Sequence, residues 1–304
     1  MSNFNERNHT LVTGEYDRCF WDVMKGCRAV SDTIAKGSDH SGGYYLPSDT
    51  EDKLGKAIAK ESIFRSLCTV IRAYNGSSRI FAKDCEDFAT WVPEGGSIPI
   101  YDAADDFTNY PVDTHKLAVF VKLDDAFILD DSFDIKDFLV KRLAKNFARG
   151  EDAAFVNGTG ENEPIGLLAD DDGASIGVTA NAITYESITD LYFSLDPEYR
   201  SKAVWMMNDT TALAIRRMKD DGGNYIWNHN DNTIFGHPVV ISNEMPSAGH
   251  GNKPILFGDF SYYWIICRRP VSVRALKEKF ITVDQIGYLA MEFMDARLVR
   301  HEAI

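Results

Sequence analysis

From Asp134 to Phe155 apolar side chains recur at helical spacing, and the stretch runs straight into Asn157-Gly158-Thr159-Gly160 and Pro164-Ile165-Gly166-Leu167-Leu168. Ile135, Phe138, Leu139, Leu143, Asn146, Phe147, Ala153 and Ala154 fall close to one face, as an amphipathic helix requires. The other face carries Lys136, Asp137, Lys141, Lys145 and Glu151. Asp131 or Ser132 is placed to cap the first amides, and Asp134 suits the positive end of the helix dipole. At about 1.5 Å per residue this predicts a rod roughly 30 Å long. The glycines lie beyond its C-terminus, where left-handed backbone and chain reversal are needed. A phosphate-binding loop would precede a helix and end in Gly-Lys-Ser/Thr. Here Glu161 and Glu163 follow the glycines and would repel phosphate. The junction is therefore a corner leading out of a long helix.

At 304 residues the chain is long enough for one large domain or two ordinary ones. It is 44% hydrophobic and 26% charged, a globular composition. No apolar run approaches a membrane span, and Met1 to Leu11 lacks the apolar stretch of a signal peptide. Cys19, Cys27, Cys68, Cys85 and Cys267 are scattered without a Cys-x-x-Cys pair, so neither a zinc site nor a disulfide framework is indicated and a reducing compartment is expected. The net charge of −14 opposes general nucleic-acid binding, which depends on cations displacing counterions. The basic clusters Arg216-Arg217-Lys219 and Arg268-Arg269 with Arg274, Lys277 and Lys279 read as solvated surface or subunit contacts.

Residues 1–43 look like an arm, with one amphipathic piece from Tyr16 to Met24 and then the polar run Lys36 to Gly43. Phe20 and Trp21 are expected to dock on a neighbour or on the chain's own body. A helix over 50–61 leads to a strand over 67–72, a turn at Asn75-Gly76-Ser77-Ser78, and extended chain at 79–82. Lys116 to Leu123 alternates as a strand, with Leu117, Val119, Val121 and Leu123 on one face. Between these strands lies a Pro/Gly-rich excursion of over thirty residues, which describes a two-stranded flap serving a partner or a lid. Beyond the corner the pattern is mixed: helices over 185–195 and 209–219, the latter capped by Asn208 or Asp209. Strands follow over 203–207, 236–241 and 255–260, with a terminal pair over 271–276 and 288–300.

The ordered set of signals resembles the major capsid proteins of tailed phages, of the Hong Kong 97 type. The matching residues are Gly42-Gly43-Tyr44-Tyr45-Leu46-Pro47, Trp91-Val92-Pro93-Glu94-Gly95-Gly96, Leu129-Asp130-Asp131-Ser132 and Glu151 to Gly160. They continue through Pro164 to Leu168, Trp205-Met206-Met207-Asn208, Lys219-Asp220, Gly236 to Val240, Phe257 to Phe260 and Arg297. The resemblance implies an α+β fold with an N-terminal arm (1–48) and an extended two-stranded loop (76–114). A peripheral domain would comprise 49–75, 115–156 and 268–296, built on the spine helix. An axial α/β domain would comprise 157–267 with 297–304.

It also implies a structural, non-enzymatic protein that assembles with itself through pentamers and hexamers into an icosahedral virion shell. That shell would be built in the host cytoplasm around double-stranded DNA that is enclosed but not read. Scaffolding protein or protease and portal are the implied partners; no cofactor, metal or membrane is implied. Trp91 and Glu94 in the loop, with Phe20 and Trp21 in the arm, would contact neighbouring subunits, while Gly158 and Gly160 would shape the corner. Many family members carry a long coiled-coil scaffolding segment ahead of the arm, removed by a protease. Met1 stands about forty residues before the Gly-Gly-Tyr motif with no heptad pattern between them, so scaffolding is either a separate protein or a trimmed segment.

Two rivals are weighed. Asp124, Asp125, Asp130, Asp131 and Asp134 could suggest an oxygen-ligand metal site, but carboxylates flanking a helix start serve capping. The seven histidines form no His-x-x-x-His pair, and no Gly-x-Ser-x-Gly elbow occurs. An encapsulin-like nanocompartment shell would share the implied fold, although the loop and Asn-Gly-Thr-Gly motifs look like the phage branch. Some relatives lock their shells with a lysine–asparagine isopeptide bond assisted by a glutamate. No lysine occurs from Trp91 to His115, and the partner positions fall near Tyr288 and Asp295. Assembled particles, boiled and reduced, should therefore run as one band near 34.1 kDa; a ladder of multiples would refute this.

Overall fold

A long antiparallel hairpin forms the backbone of the molecule. The computed structural model describes residues 10–26, 31–39, 42–74, 79–83, 107–128, 130, 133–220, 222–228 and 230–304. Strands β11 (Tyr263–Leu276) and β12 (Gln285–Leu298) pair along most of their length, and β5 (His115–Asp124) joins β12 antiparallel. The outer edge of β11 is shared. Strand β2 (Thr69–Arg72) runs parallel to Trp264–Cys267, and β1 (Tyr44–Tyr45) pairs with Val273 and Ser272. Between these partners the β11–β12 register shifts at Cys267/Arg269 and again at Arg269/Ser272. Pro270 lies there; lacking an N–H, it cannot continue the ladder.

Three apolar cores follow one another. The first packs the sheet (Val121, Val273, Tyr288) against the arm helix α1 (Gly14–Lys25), α2 (Ser48–Glu61) and the front of the spine helix. A short helix α3 (Ile63–Leu67) follows α2. The spine helix α4 (Ile135–Asn157) is capped by Asp134, whose side chain accepts from the Lys136 and Asp137 amides. Ile135, Leu139, Leu143 and Phe147 lie in the first core, while Phe155 and Val156 belong to the second. One rod thus serves two cores. The second is aromatic: the Phe155 ring lies 5.7 Å from Phe64 and 5.6 Å from Tyr263, both edge-on, a favoured geometry for such rings.

The second sheet has the order β10-β6-β9-β8-β7, formed by β6 (Val204–Met207), β7 (Trp227–Asn228), β8 (Thr233–Ile234), β9 (His237–Ile241) and β10 (Ile255–Gly258). Side chains alternate across it. Met206 and Leu256 face the second core; Trp205, Met207 and Phe257 face the third, beneath α5 (Tyr185–Ser194) and α6 (Asp209–Arg216). Asn208 caps α6 by accepting from the Thr211 amide. The last residues return to this domain: the Asp259 amide donates to the Ala303 carbonyl at 2.8 Å.

The flap differs from the sequence expectation. Its paired strands are β3 (Arg79–Lys83) and β4 (Phe107–Pro111), antiparallel. The alternating strand over 116–123 is β5 of the main sheet instead, because its apolar face lies toward the first core and its edge is taken by β12.

At the corner, Gly158 is not left-handed (φ −61°, ψ 143°), whereas Gly160 is (φ 81°). Gly158 is needed for close approach: a Cβ there would collide with the Pro164 and Ala154 carbonyl oxygens. The loop returns so that the Leu167 and Leu168 amides donate to Phe155 and Val156 at 2.8 and 3.0 Å. These bonds satisfy carbonyls that a helix end leaves open. Glu163 accepts from the Thr159 amide at 3.2 Å, giving it a role in the turn. Gly158→Val should cost about 3 kcal/mol through forced backbone shifts, and Gly160→Val about 1–2 kcal/mol from its left-handed backbone. Thermal melts and particle yield read both; wild-type values for both variants would remove the corner's structural role.

Candidate assembly surfaces and the charged hub beneath them

Where the spine helix passes from the first core to the second, its buried stripe changes from apolar to acidic. Leu139, Leu143, Phe147, Glu151 and Phe155 are successive i, i+4 positions. Glu151 is buried, not on the solvent face as the sequence reading placed it. The Arg65 guanidinium grips it through Nε and Nη2 at 2.7 and 2.6 Å and donates from Nη2 to Glu292 on β12 at 2.8 Å. Side-chain exposures are 8% for Arg65, 0% for Glu151 and 4% for Glu292. The second Glu292 oxygen is buried without a hydrogen-bond partner among the described residues.

Two carboxylates around one cation in a dry site disfavour double ionisation. Burial first, then the charge of Glu292, pushes the Glu151 carboxyl up to about 8, against the pull of Arg65. Next to it, Asp152 accepts from the Ser62 hydroxyl at 2.6 Å and the Ile63 amide at 3.1 Å, anchoring the start of α3. Burial raises its carboxyl as well, despite these bonds. The hub ties α3, α4 and β12 together, and its polar atoms are closed to a substrate.

The flap is moored at its base. The Tyr110 hydroxyl donates to the Val299 carbonyl at 2.8 Å, and the Asp113 amide donates to Asp295 at 2.8 Å, with His115 3.6 Å from that carboxylate. Trp91 and Glu94 lie outside the described residues, as do Asp131 and Ser132. Phe20 is fully buried in its own chain's first core, so its ring is not a neighbour-facing surface; Trp21 is half-buried, with Lys136 over its ring at 5.7 Å. Tyr288 is buried and donates to the Met24 carbonyl at 3.1 Å.

Among the acids suggested for a metal, Asp134 caps α4 and Asp124 accepts from Gln285 at 2.7 Å. Among the described residues no group of three or more His, Cys, Asp or Glu is arranged to hold a metal. Cys19, Cys68 and Cys267 are not disulfide-bonded to one another, and no described helix is long and apolar enough to cross a membrane. Large apolar side chains emerge at several places, among them Phe127, Ile281 and Val283 by the first sheet, and Phe193, Leu213 and Tyr225 on the second domain.

Residues 42–304 match the phage capsid family. The chain belongs to that family. No curated protein matches it. Among solved structures, a capsid chain of a native GTA particle computed with C5 symmetry is 27% identical, with 79% of this chain and 87% of that one covered at a TM-score of 0.60. The corresponding empty GTA particle gives 26% identity, 80% and 88% coverage and a TM-score of 0.59. A satellite phage P4 procapsid chain is 10% identical and shares the fold alone, at a TM-score of 0.57 with 83% and 96% covered. The α+β architecture is thus the Hong Kong 97-type capsid fold, and this capsid protein's role is structural. Its functional surfaces are those that meet other copies.

Sequence reasoning missed the hub, although the unbroken i, i+4 series through Glu151 was its signal. The raised Glu151 value means that the folded chain holds a proton that the unfolded chain releases near 4.5. That stabilisation is complete below 4.5 and is lost as pH rises through about 8. Melting temperature should therefore fall over this window, and Glu292→Gln should flatten the fall by leaving Glu151 ionised beside Arg65. Arg65→Leu should cost about 3–5 kcal/mol, since it strands two buried acids. An unchanged slope in Glu292→Gln would mean that the charge of Glu292 does not raise Glu151.

Proposed function

We propose that this chain is a major capsid protein that assembles through pentamers and hexamers into an icosahedral shell around double-stranded DNA, in the host cytoplasm. The observation carrying this reading is the match over residues 42–304 to the phage capsid family, joined to a spine helix that locks two cores into one subunit. Residues 1–48 act as the arm, 76–114 as the extended loop across a neighbour, and 157–267 with 297–304 as the axial domain. The peripheral domain comprises 49–75, 115–156 and 268–296. Scaffolding protein or protease and portal are its assembly partners. Many modest interfaces, each repeated by symmetry, sum to a stable shell, and the net charge of −14 lets the wall enclose DNA without gripping it. No isopeptide cross-link forms.

Size-exclusion chromatography with electron microscopy of the expressed chain tests this. Shells, or rings of five or six subunits, are expected; a protein that stays monomeric at high concentration and with its scaffold co-expressed would overturn the reading.

A further inference from the structure

Helices α5 and α6 both bury their inner faces in the third core, through Ile188 and through Ala212 and Ile215. Their outward faces are opposite in charge. On α5, Glu186, Asp190 and Phe193 follow at i, i+4 and i+7 and are all exposed, Phe193 to 63%. On α6, Leu213 is 51% exposed and is followed at i+3 and i+4 by the exposed Arg216 and Arg217. These three line a shallow depression with Tyr225. Glu186, Asp190 and Arg217 make no ion pair among the described residues; Arg216 lies over the Trp227 ring at 5.7 Å.

Helix dipoles account for Glu186 in a first turn and Arg216 in a last turn. They account also for Arg217, the C-cap of α6, but not for Asp190 within α5, or for the exposed Leu213 and Phe193 beside these charges, the latter with the Arg200 guanidinium 5.2 Å from its ring. The stripes also lie over different parts of the sheet: Tyr192 of α5 packs on Phe257 of the edge strand β10 and on His237 of β9, while Arg216 covers Trp227 of the opposite edge strand β7. A ring is closed by heterologous contacts, in which one edge of a subunit meets a different edge of the next.

We propose that the acidic stripe Glu186, Asp190 and Phe193 of one copy seats in the cationic depression formed by Leu213, Arg216, Arg217 and Tyr225 of a second copy. The inference rests on the shell reading and adds the contact that orients its rings. The order of the groups sets the geometry. From apolar to charged, α5 reads toward its N-terminus and α6 toward its C-terminus, so the two helices cross antiparallel. Phe193 then meets Leu213 and Tyr225, and the acids meet the arginines. Like charges placed there would repel the neighbour strongly.

Charge reversal tests this in the full chain, read by sedimentation and electron microscopy, with circular dichroism and melting temperature confirming that these exposed substitutions leave the fold intact. Arg216→Glu with Arg217→Glu should reduce assembled particles at least about tenfold, and so should Glu186→Arg with Asp190→Arg. All four changes in one chain should restore assembly. Mixing the two double variants should restore six-membered rings but not five-membered ones, because alternation of two chains closes only on an even number. Wild-type rings with undiminished assembly of the double variants, or no recovery in the fourfold variant, would overturn this contact and leave the shell reading standing. A wild-type chain that forms neither rings nor shells, even at high concentration and with its scaffold co-expressed, would overturn both.

Discussion

One guanidinium between two buried carboxylates decides how this subunit holds together. Arg65 comes from a short helix, Glu151 from the spine helix and Glu292 from the central hairpin, so the three elements meet where the first core gives way to the second. An apolar plug there would pack as well and cost less desolvation. The charged arrangement supplies direction instead: the fork of Arg65 fixes the rotation of the spine helix relative to the sheet, because only one face of Glu151 accepts both N–H groups. Asp152 extends this control by binding the first amides of α3. The helix that carries Arg65 is therefore placed by the same rod that Arg65 grips.

Beyond the hub, order is passed along by backbone. The last turns of the spine helix receive amides from Leu167 and Leu168, and the second domain starts from that fixed point. Its sheet is double-sided, with alternate residues of β6 and β10 serving two cores. The chain's final residues close the domain against β10. A subunit built this way behaves as one piece when neighbours push on it, which repeated assembly into a curved wall demands.

Much of this was legible in the sequence because period and punctuation are local properties. The spine helix, β5, β6, β9, α5 and a cap at Asn208 or Asp209 are visible in spacing, and the glycine corner in composition. What was not legible depends on pairing at a distance. The partner of the flap's first strand turned out to be 107–111, since nothing local distinguishes a strand that pairs within the flap from one that joins the central sheet. Glu151 was assigned to solvent because charge outweighed position in that reading, yet its burial requires Arg65, 86 residues away in sequence. Spacing alone does not say whether Phe20 meets a neighbour or the chain's own body; tertiary packing puts it in the chain's own first core.

The interruption at Pro270 has a mechanical consequence. The outer edge of β11 is held by β2 on one side of the break and by β1, at the root of the arm, on the other. A pull on Tyr44–Tyr45 loads the two rungs at Val273 and Ser272, with α1 in the first core behind them, and the missing amide at Pro270 separates this seat from the four rungs of β2 beside the hub. Load at the one seat is thus not passed rung by rung along β11 to the other, so the strand carries two fastenings instead of one.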